Sequence, residues 1–220
     1  SSDLGGTPVF IETEAKNSFK LRAAELKKSI TENTKAVIIN SPSNPDGHFY
    51  SPKELKELIE ILLEENIFII SDEIYDKLLY DGKNFKSMIE LFPELKERLL
   101  IVNGMSKTYS MTGWRVGFGF ANKDWIKSMA KIQSHTTSNV NTIAQYASAK
   151  ALGNNDLGKI IDQRRDVYQQ RRDITAELLE GVEGLKAIKP AGAFYFFIDI
   201  SDLKTKKLNG KKIEGSLSFS

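Results

Sequence analysis

Residues 34–70 run from an apolar burst, "TKAVIIN", through "SPKELKELIEILLEEN" to a second burst, "IFII". Both bursts are β-branched and lack alternation, which is how a strand reads when both its faces are covered. The stretch between them carries Leu55, Leu58, Ile59, Leu62 and Leu63 at helical spacing. It opens on Ser51 as a cap, Pro52 at the first helical position and Glu54 to complete a capping box. Strand, helix and strand in that order form a crossover, and the two strands pair in parallel.

The pattern continues. "RLLIVN" (98–103) is another buried strand, and "GWRVGFGFAN" (113–122) is a strand candidate broken by glycines. Helical patterns follow at 124–134, at 142–152 and from about 157 to 180; the last offers Ile160, Ile161, Val167, Ile174 and Leu178 as a core face. "AFYFFIDIS" (193–201) reads as a strand, and the lysine-rich end "LKTKKLNGKKIEGSLSFS" as a solvated terminus. The expected fold is α/β, a mostly parallel sheet with helices on both faces. Residues 1–155 form one domain, and 156–220 a long helix with part of a second, small α/β domain.

Composition narrows the function. Thirty-one Lys and Arg against twenty-nine Asp and Glu leave a net charge of +2, which gives no pull toward nucleic acid or membrane. There is no cysteine, so disulfide and thiolate chemistry are excluded. His48 and His135 lie far apart without a partner at metal-ligand spacing, so no metal site is assigned. No apolar run approaches the roughly 20 residues that span a bilayer. "SSDLGG" has neither the basic nor the apolar region of a secretory signal, and a cytoplasmic location is the default expectation.

In open α/β sheets ligands bind at the carboxyl ends of the strands. Three polar clusters fall at such ends: "NSPSNPDG" offers Asn44, "SDEIY" offers Asp72 and Tyr75, and "NGMSK" offers Ser106 and Lys107, with Arg115 eight residues beyond the lysine. Each has an ordinary role available to it. Asp72 suits a turn or cap, Tyr75 a core ring, Asn44 a turn before proline, Lys107 a solvated surface and Arg115 an ion pair. Their arrival together at one sheet edge is the strongest functional signal.

The blocks "SPSNPDG", "SDEIYDKLLYDG" and "SKTYSMTGWRVGF" resemble those of the class I and II aminotransferases that depend on pyridoxal phosphate, the bacterial aspartate aminotransferase branch above all. "SHTTSNVNTIAQYASAKAL", "RRDVYQQRRDITAELL" and "PAGAFYFFIDIS" follow in the family's order, so the resemblance runs over about residues 4–201. It implies an incomplete large domain of the fold-type I transferases and pyridoxal 5′-phosphate as cofactor. By the same resemblance Lys107 forms the Schiff base and shuttles a proton, and Asp72 pairs with the pyridine nitrogen. Tyr75 and Asn44 bond the ring's phenolic oxygen, while Arg115, with help from Ser106, grips the phosphate. Amino acids and 2-oxo acids are the implied substrates, aspartate and 2-oxoglutarate foremost, and the implied assembly is a homodimer.

This sequence also departs from the family's pattern. Asp46 stands where the family has threonine, bringing a negative charge toward a phosphate site. Gly104 stands where a phosphate-binding hydroxyl is common. The resemblance implies a chain truncated at both ends, with the arm, first helix–strand unit and phosphate loop lying ahead of it. "GSLSFS" resembles the strand that brings the arginine for the substrate α-carboxylate, but Ser216 occupies that place, so no such arginine is assigned. An incomplete sheet exposes an apolar edge and face. Two further readings stay open: an inactive remnant serving as a binding or dimerisation module, and a β-lyase of the same fold.

Overall fold

The computed structural model describes residues 5–216, apart from positions 205 and 209. Its centre is a four-stranded sheet in the order β1 (Ala36–Asn40), β2 (Phe68–Asp72), β3 (Leu99–Gly104) and β4 (Gly117–Phe120). The first three strands are parallel, and β4 returns antiparallel to β3. The α/β expectation therefore stands. β2 extends to Asp72, two residues beyond the apolar burst, because Asn40 and Asp72 remain in ladder register.

Helix α1 (Ala23–Ser29) precedes β1, and α2 (Pro52–Glu64) forms the crossover between β1 and β2. Its start is the one the sequence spells out. Ser51 Oγ accepts from the Glu54 N–H at 3.3 Å, and Glu54 Oε2 accepts from the Ser51 N–H at 2.7 Å. Leu55, Leu58, Ile59 and Leu62 are buried against Ile39, Ile69, Leu99 and Ile101, while Leu63 is half-buried. Each such side chain contributes about 1.5–3 kcal/mol of transfer free energy, and this layer is the main core. The short α3 (Met88–Leu91) closes it, with Met88 buried in the same cluster.

On the opposite face lies α4 (Lys123–Thr136). Trp125 packs its ring 4.6 Å from that of Phe68. That helix leaves the β1 end of the face open. Ile38 is 70% exposed, and among the described residues β1 pairs on one side only. The exposed edge and face expected of an incomplete sheet are both present.

Helix α5 (Thr142–Leu152) and the long α6 (Leu157–Leu179) follow. Here one expectation fails. Ile160, Val167, Ile174 and Leu178 of the supposed core face are exposed, and the buried residue of α6 is Arg172. Hydrophobic spacing marked an apolar stripe correctly, but α6 docks on the rest of the chain through its guanidinium side.

The strand expected over 193–201 shrinks to β6 (Ile198–Asp199), which pairs antiparallel with β5 (Lys186–Ala187). Ala193 has φ +58°, in the left-handed region, which breaks an extended backbone at the start of that segment. The lysine-rich end is also more ordered than expected. β7 (Lys207–Leu208) and β8 (Lys211–Lys212) form a hairpin around Gly210, at φ +79°, and Ile213 beyond it is buried. The terminal strand read into "GSLSFS" falls largely at 217–220, outside the described residues. Among the described residues, no helix is long and apolar enough to cross a membrane.

Candidate active site

Register across the parallel strands sets the site. Asn40, Asp72 and Val102 stand level, so the loops leaving β1, β2 and β3 emerge side by side. The first loop is tied to the second strand: the Ser41 N–H and the Asn40 side-chain amide both donate to the Asp72 carbonyl at 3.1 Å. Asn40 Oδ1 then accepts from the Asn44 N–H at 2.8 Å, fixing where the exposed Asn44 begins. Two cis prolines, Pro42 and Pro45, lie in this loop.

Asp46 belongs to the turn and not to the strand ends. Its carboxylate accepts from Ser43 Oγ at 3.2 Å and from the His48 N–H at 2.8 Å, and lies 2.6 Å from His48 Nδ1. Burial pushes this carboxyl up, but the bonds and charge from His48, with Ser43, outweigh it and leave the group below its ordinary pKa. The negative charge expected near a phosphate site is thus held within the turn.

Asp72 turns one carboxylate oxygen onto the Ile74 N–H at 3.2 Å. The chain then bends through Leu78, whose N–H donates to the Tyr75 carbonyl, and this buries the Tyr75 ring. Beyond β3, the Met105 N–H donates to the Val116 carbonyl at 3.1 Å, bringing the two sides of the 105–116 loop together. Gly104 is required there. A Cβ on it would meet the Val116 carbonyl oxygen at 2.8 Å, so a hydroxyl-bearing side chain has no room without a backbone shift.

Lys107 extends from this loop over two aromatic faces, with Nζ 5.4 Å from the Tyr75 centroid and 4.9 Å from that of Phe194. Its neighbour Thr108 anchors the loop, donating to Asp76 Oδ1 at 2.9 Å while its carbonyl accepts from Arg164 at 3.2 Å. The Tyr75 hydroxyl lies 2.9 Å from that of Tyr195. Burial is the largest influence raising the Tyr75 phenol well above its ordinary pKa, followed by Tyr195 and the Asp72 charge; the Asn44 side chain pulls the other way. Lys107 therefore lies over the Tyr75 ring, and Asp72 and Asn44 are near enough to influence its phenol.

Ser106 and Arg115 stand apart from that group. Ser106 is half-buried in the same turn as Lys107. Arg115 is exposed at φ +55°, and its Nη1 donates to the Thr112 carbonyl at 2.9 Å. It lines an open cleft of about 880 Å³ with Ser110, Trp114, Gln133, Asn139 and Asn141. Among the described residues, no hydrogen bond or ion pair joins Arg115 or Ser106 to the other four.

The sequence reading missed the aromatic contributors. Phe194 and Tyr195 reach the site from beyond α6, and Tyr168 on α6 stacks on Phe194 with centroids 5.6 Å apart. By its pattern the run "AFYFF" reads as strand, and its density of aromatic rings is the one signal of this role.

Comparisons with known proteins bear on the family and the fold. Residues 2–214 match the model of the family described as aminotransferase class I and II. The chain belongs to that family. It is 47% identical to an aspartate aminotransferase of Geobacillus stearothermophilus, over 88% of this chain and 49% of the relative. With an aspartate aminotransferase of Bacillus sp. (strain YM-2) it shares 43% identity, over 92% of this chain and 51% of the relative. Among solved structures, the aspartate aminotransferase from Rhizobium meliloti superposes with a TM-score of 0.91 at 38% identity, covering 97% of this chain and 54% of that one. The chain spans about half the length of the curated relatives it matches. Class I and II aminotransferases are pyridoxal-phosphate dependent.

Proposed function

We propose that a protein carrying this chain transfers an amino group from an amino acid, aspartate or a close relative of it, to a 2-oxo acid such as 2-oxoglutarate, using pyridoxal 5′-phosphate. The observation that carries this reading is the meeting of Lys107, Tyr75, Asp72 and Asn44 at adjacent strand ends. The donor set fits the cofactor: an amine for its carbonyl carbon, a carboxylate for its ring nitrogen, and a phenol with an amide for its ring oxygen. When bound, the cofactor supplies an electron sink for the substrate's α-carbon.

The chain's own residues have distinct tasks. Lys107 holds the cofactor and moves a proton at Nζ. Asp72 keeps the ring nitrogen protonated, its carboxylate being oriented by the Ile74 N–H. Tyr75 and Asn44 bond the ring oxygen. Arg115, whose guanidinium now donates to the Thr112 carbonyl, would hold the phosphate with its planar fork, with Ser106 beside it. Residues 1–155 form the cofactor-binding part and 156–220 the long helix with part of a small domain; the protein works as a cytoplasmic homodimer.

Adding pyridoxal 5′-phosphate should give a visible absorbance band that is lost in Lys107→Ala. A chain without the band, or a band unchanged in the variant, refutes the reading. Addition of aspartate then reports on the substrate half of the site, bleaching the band where amino transfer proceeds.

A further inference from the structure

We propose that Tyr195 is a positioning residue for this site: its hydroxyl donates to the Tyr75 hydroxyl and so directs the Tyr75 proton outward, to the cofactor's ring oxygen. The inference rests on the cofactor reading above and adds a residue to it.

The geometry begins with the backbone. The Ala191 and Gly192 N–H groups both donate to the Gly47 carbonyl, at 2.9 and 3.0 Å, and the Ala193 N–H donates to the Leu78 carbonyl at 2.9 Å. The Tyr80 hydroxyl also donates to the Ala193 carbonyl. Segment 191–193 is therefore fastened on one side to the loop that carries Asn44 and on the other to the turn that carries Tyr75. Gly192 makes the close approach possible, since a Cβ there would meet the Leu78 carbonyl oxygen and Pro42 Cβ at 2.8 Å. Tyr195 leaves this fastened segment two residues later, so its place opposite Tyr75 does not depend on the hydroxyl contact alone.

The two hydroxyl oxygens are 2.9 Å apart, and one proton lies between them. A phenol has one proton to give and two lone pairs to receive with. If Tyr75 spends its proton on Tyr195, it has none for an anionic ring oxygen. If Tyr195 donates instead, Tyr75 accepts from Tyr195 and keeps its proton free. An accepting hydroxyl is also a better donor, because successive hydrogen bonds polarise one another. Lys107 Nζ lies over the Tyr75 ring face, where the cofactor would be held, and marks the side to which a free Tyr75 proton would be offered.

Packing is the competing role for Tyr195, whose ring lies 4.7 Å from Phe194 and 6.0 Å from Tyr75. Tyr195→Phe keeps the ring and removes only the hydroxyl, so it separates the two. In the cofactor-free chain, the carbon-13 shift of Tyr75 Cζ should change in Tyr195→Phe; an unchanged shift overturns the proposal. In the loaded chain, the pH at which the absorbance band changes colour should rise in Tyr75→Phe and rise less in Tyr195→Phe, by roughly two- to threefold in proton affinity. Adding Tyr195→Phe to Tyr75→Phe should then move nothing, because the relay is already broken. An equal shift in the presence and absence of the Tyr75 hydroxyl, or no shift at all, refutes the positioning role. Loss of the Lys107-dependent band in the unaltered chain would refute the cofactor reading separately, and the carbon-13 shift would still decide whether Tyr195 holds Tyr75.

Discussion

The Arg172 guanidinium closes on the Asp81 carboxylate through two parallel bonds, Nη1 to Oδ2 at 2.8 Å and Nη2 to Oδ1 at 2.6 Å. The same guanidinium donates to the Pro190 carbonyl at 3.1 Å and lies over the Tyr80 ring at 4.7 Å. With 3% of its side chain exposed, Arg172 fastens α6 to the turn that follows the Tyr75 segment. Asp81→Ala leaves that buried cation with Asp173 as its one carboxylate partner among the described residues. We expect a loss of about 2 kcal/mol in urea unfolding, below the full cost of breaking a buried pair because Asp81 is half-exposed. Arg172→Lys should fare little better, since an ammonium cannot reproduce the fork.

The pair also sets a pH dependence. Hydrogen bonding from Arg172 is the first cause holding the Asp81 carboxyl at about 2, against an ordinary 3.8. A carboxyl with a depressed folded pKa stabilises fully above its unfolded value, and that contribution fades as pH falls through the folded one. The urea midpoint should therefore drop between pH 3.8 and about 2 more steeply in the unaltered chain than in Asp81→Asn. Equal slopes would contradict this assignment.

Gly47→Ala tests the junction beneath the site. Gly47 has φ +70°, and a Cβ there would meet Pro190 Cβ at 2.4 Å and the Gly192 carbonyl oxygen at 2.7 Å. Both backbone strain and collision oppose the substitution. We expect about 2 kcal/mol or more of destabilisation, measured by thermal or urea unfolding.

Exposed apolar surface makes a fourth prediction. Ile38 on the open β1 edge and Val167 on the α6 stripe are both solvent-facing. The isolated chain should self-associate as concentration rises. Ile38→Lys combined with Val167→Glu should reduce the association seen by light scattering, with each substitution changing unfolding free energy by no more than about 0.5 kcal/mol.

These features differ in how far the sequence announces them. Helix α2 was legible to the residue at its start, because Ser51, Pro52 and Glu54 act within one turn. Asn44, Asp72, Tyr75 and Lys107 were legible as a group, because in a parallel sheet the polar residues after each apolar burst reach the same edge. Tyr195 was not, since its partner Tyr75 is 120 residues away and no local pattern marks the pairing. The burial of Arg172 was hidden for a related reason. Periodicity finds the apolar stripe of α6, but the side that docks is chosen by Asp81, Pro190 and Tyr80, all distant in sequence.

Lys107 as the cofactor-bearing amine is the central claim, and borohydride trapping tests it most directly. After incubation with pyridoxal 5′-phosphate and reduction, peptide mass mapping should find the cofactor fixed on Lys107 and little of it on the other lysines. Label scattered over surface lysines, or an unchanged total in Lys107→Ala, would contradict the account.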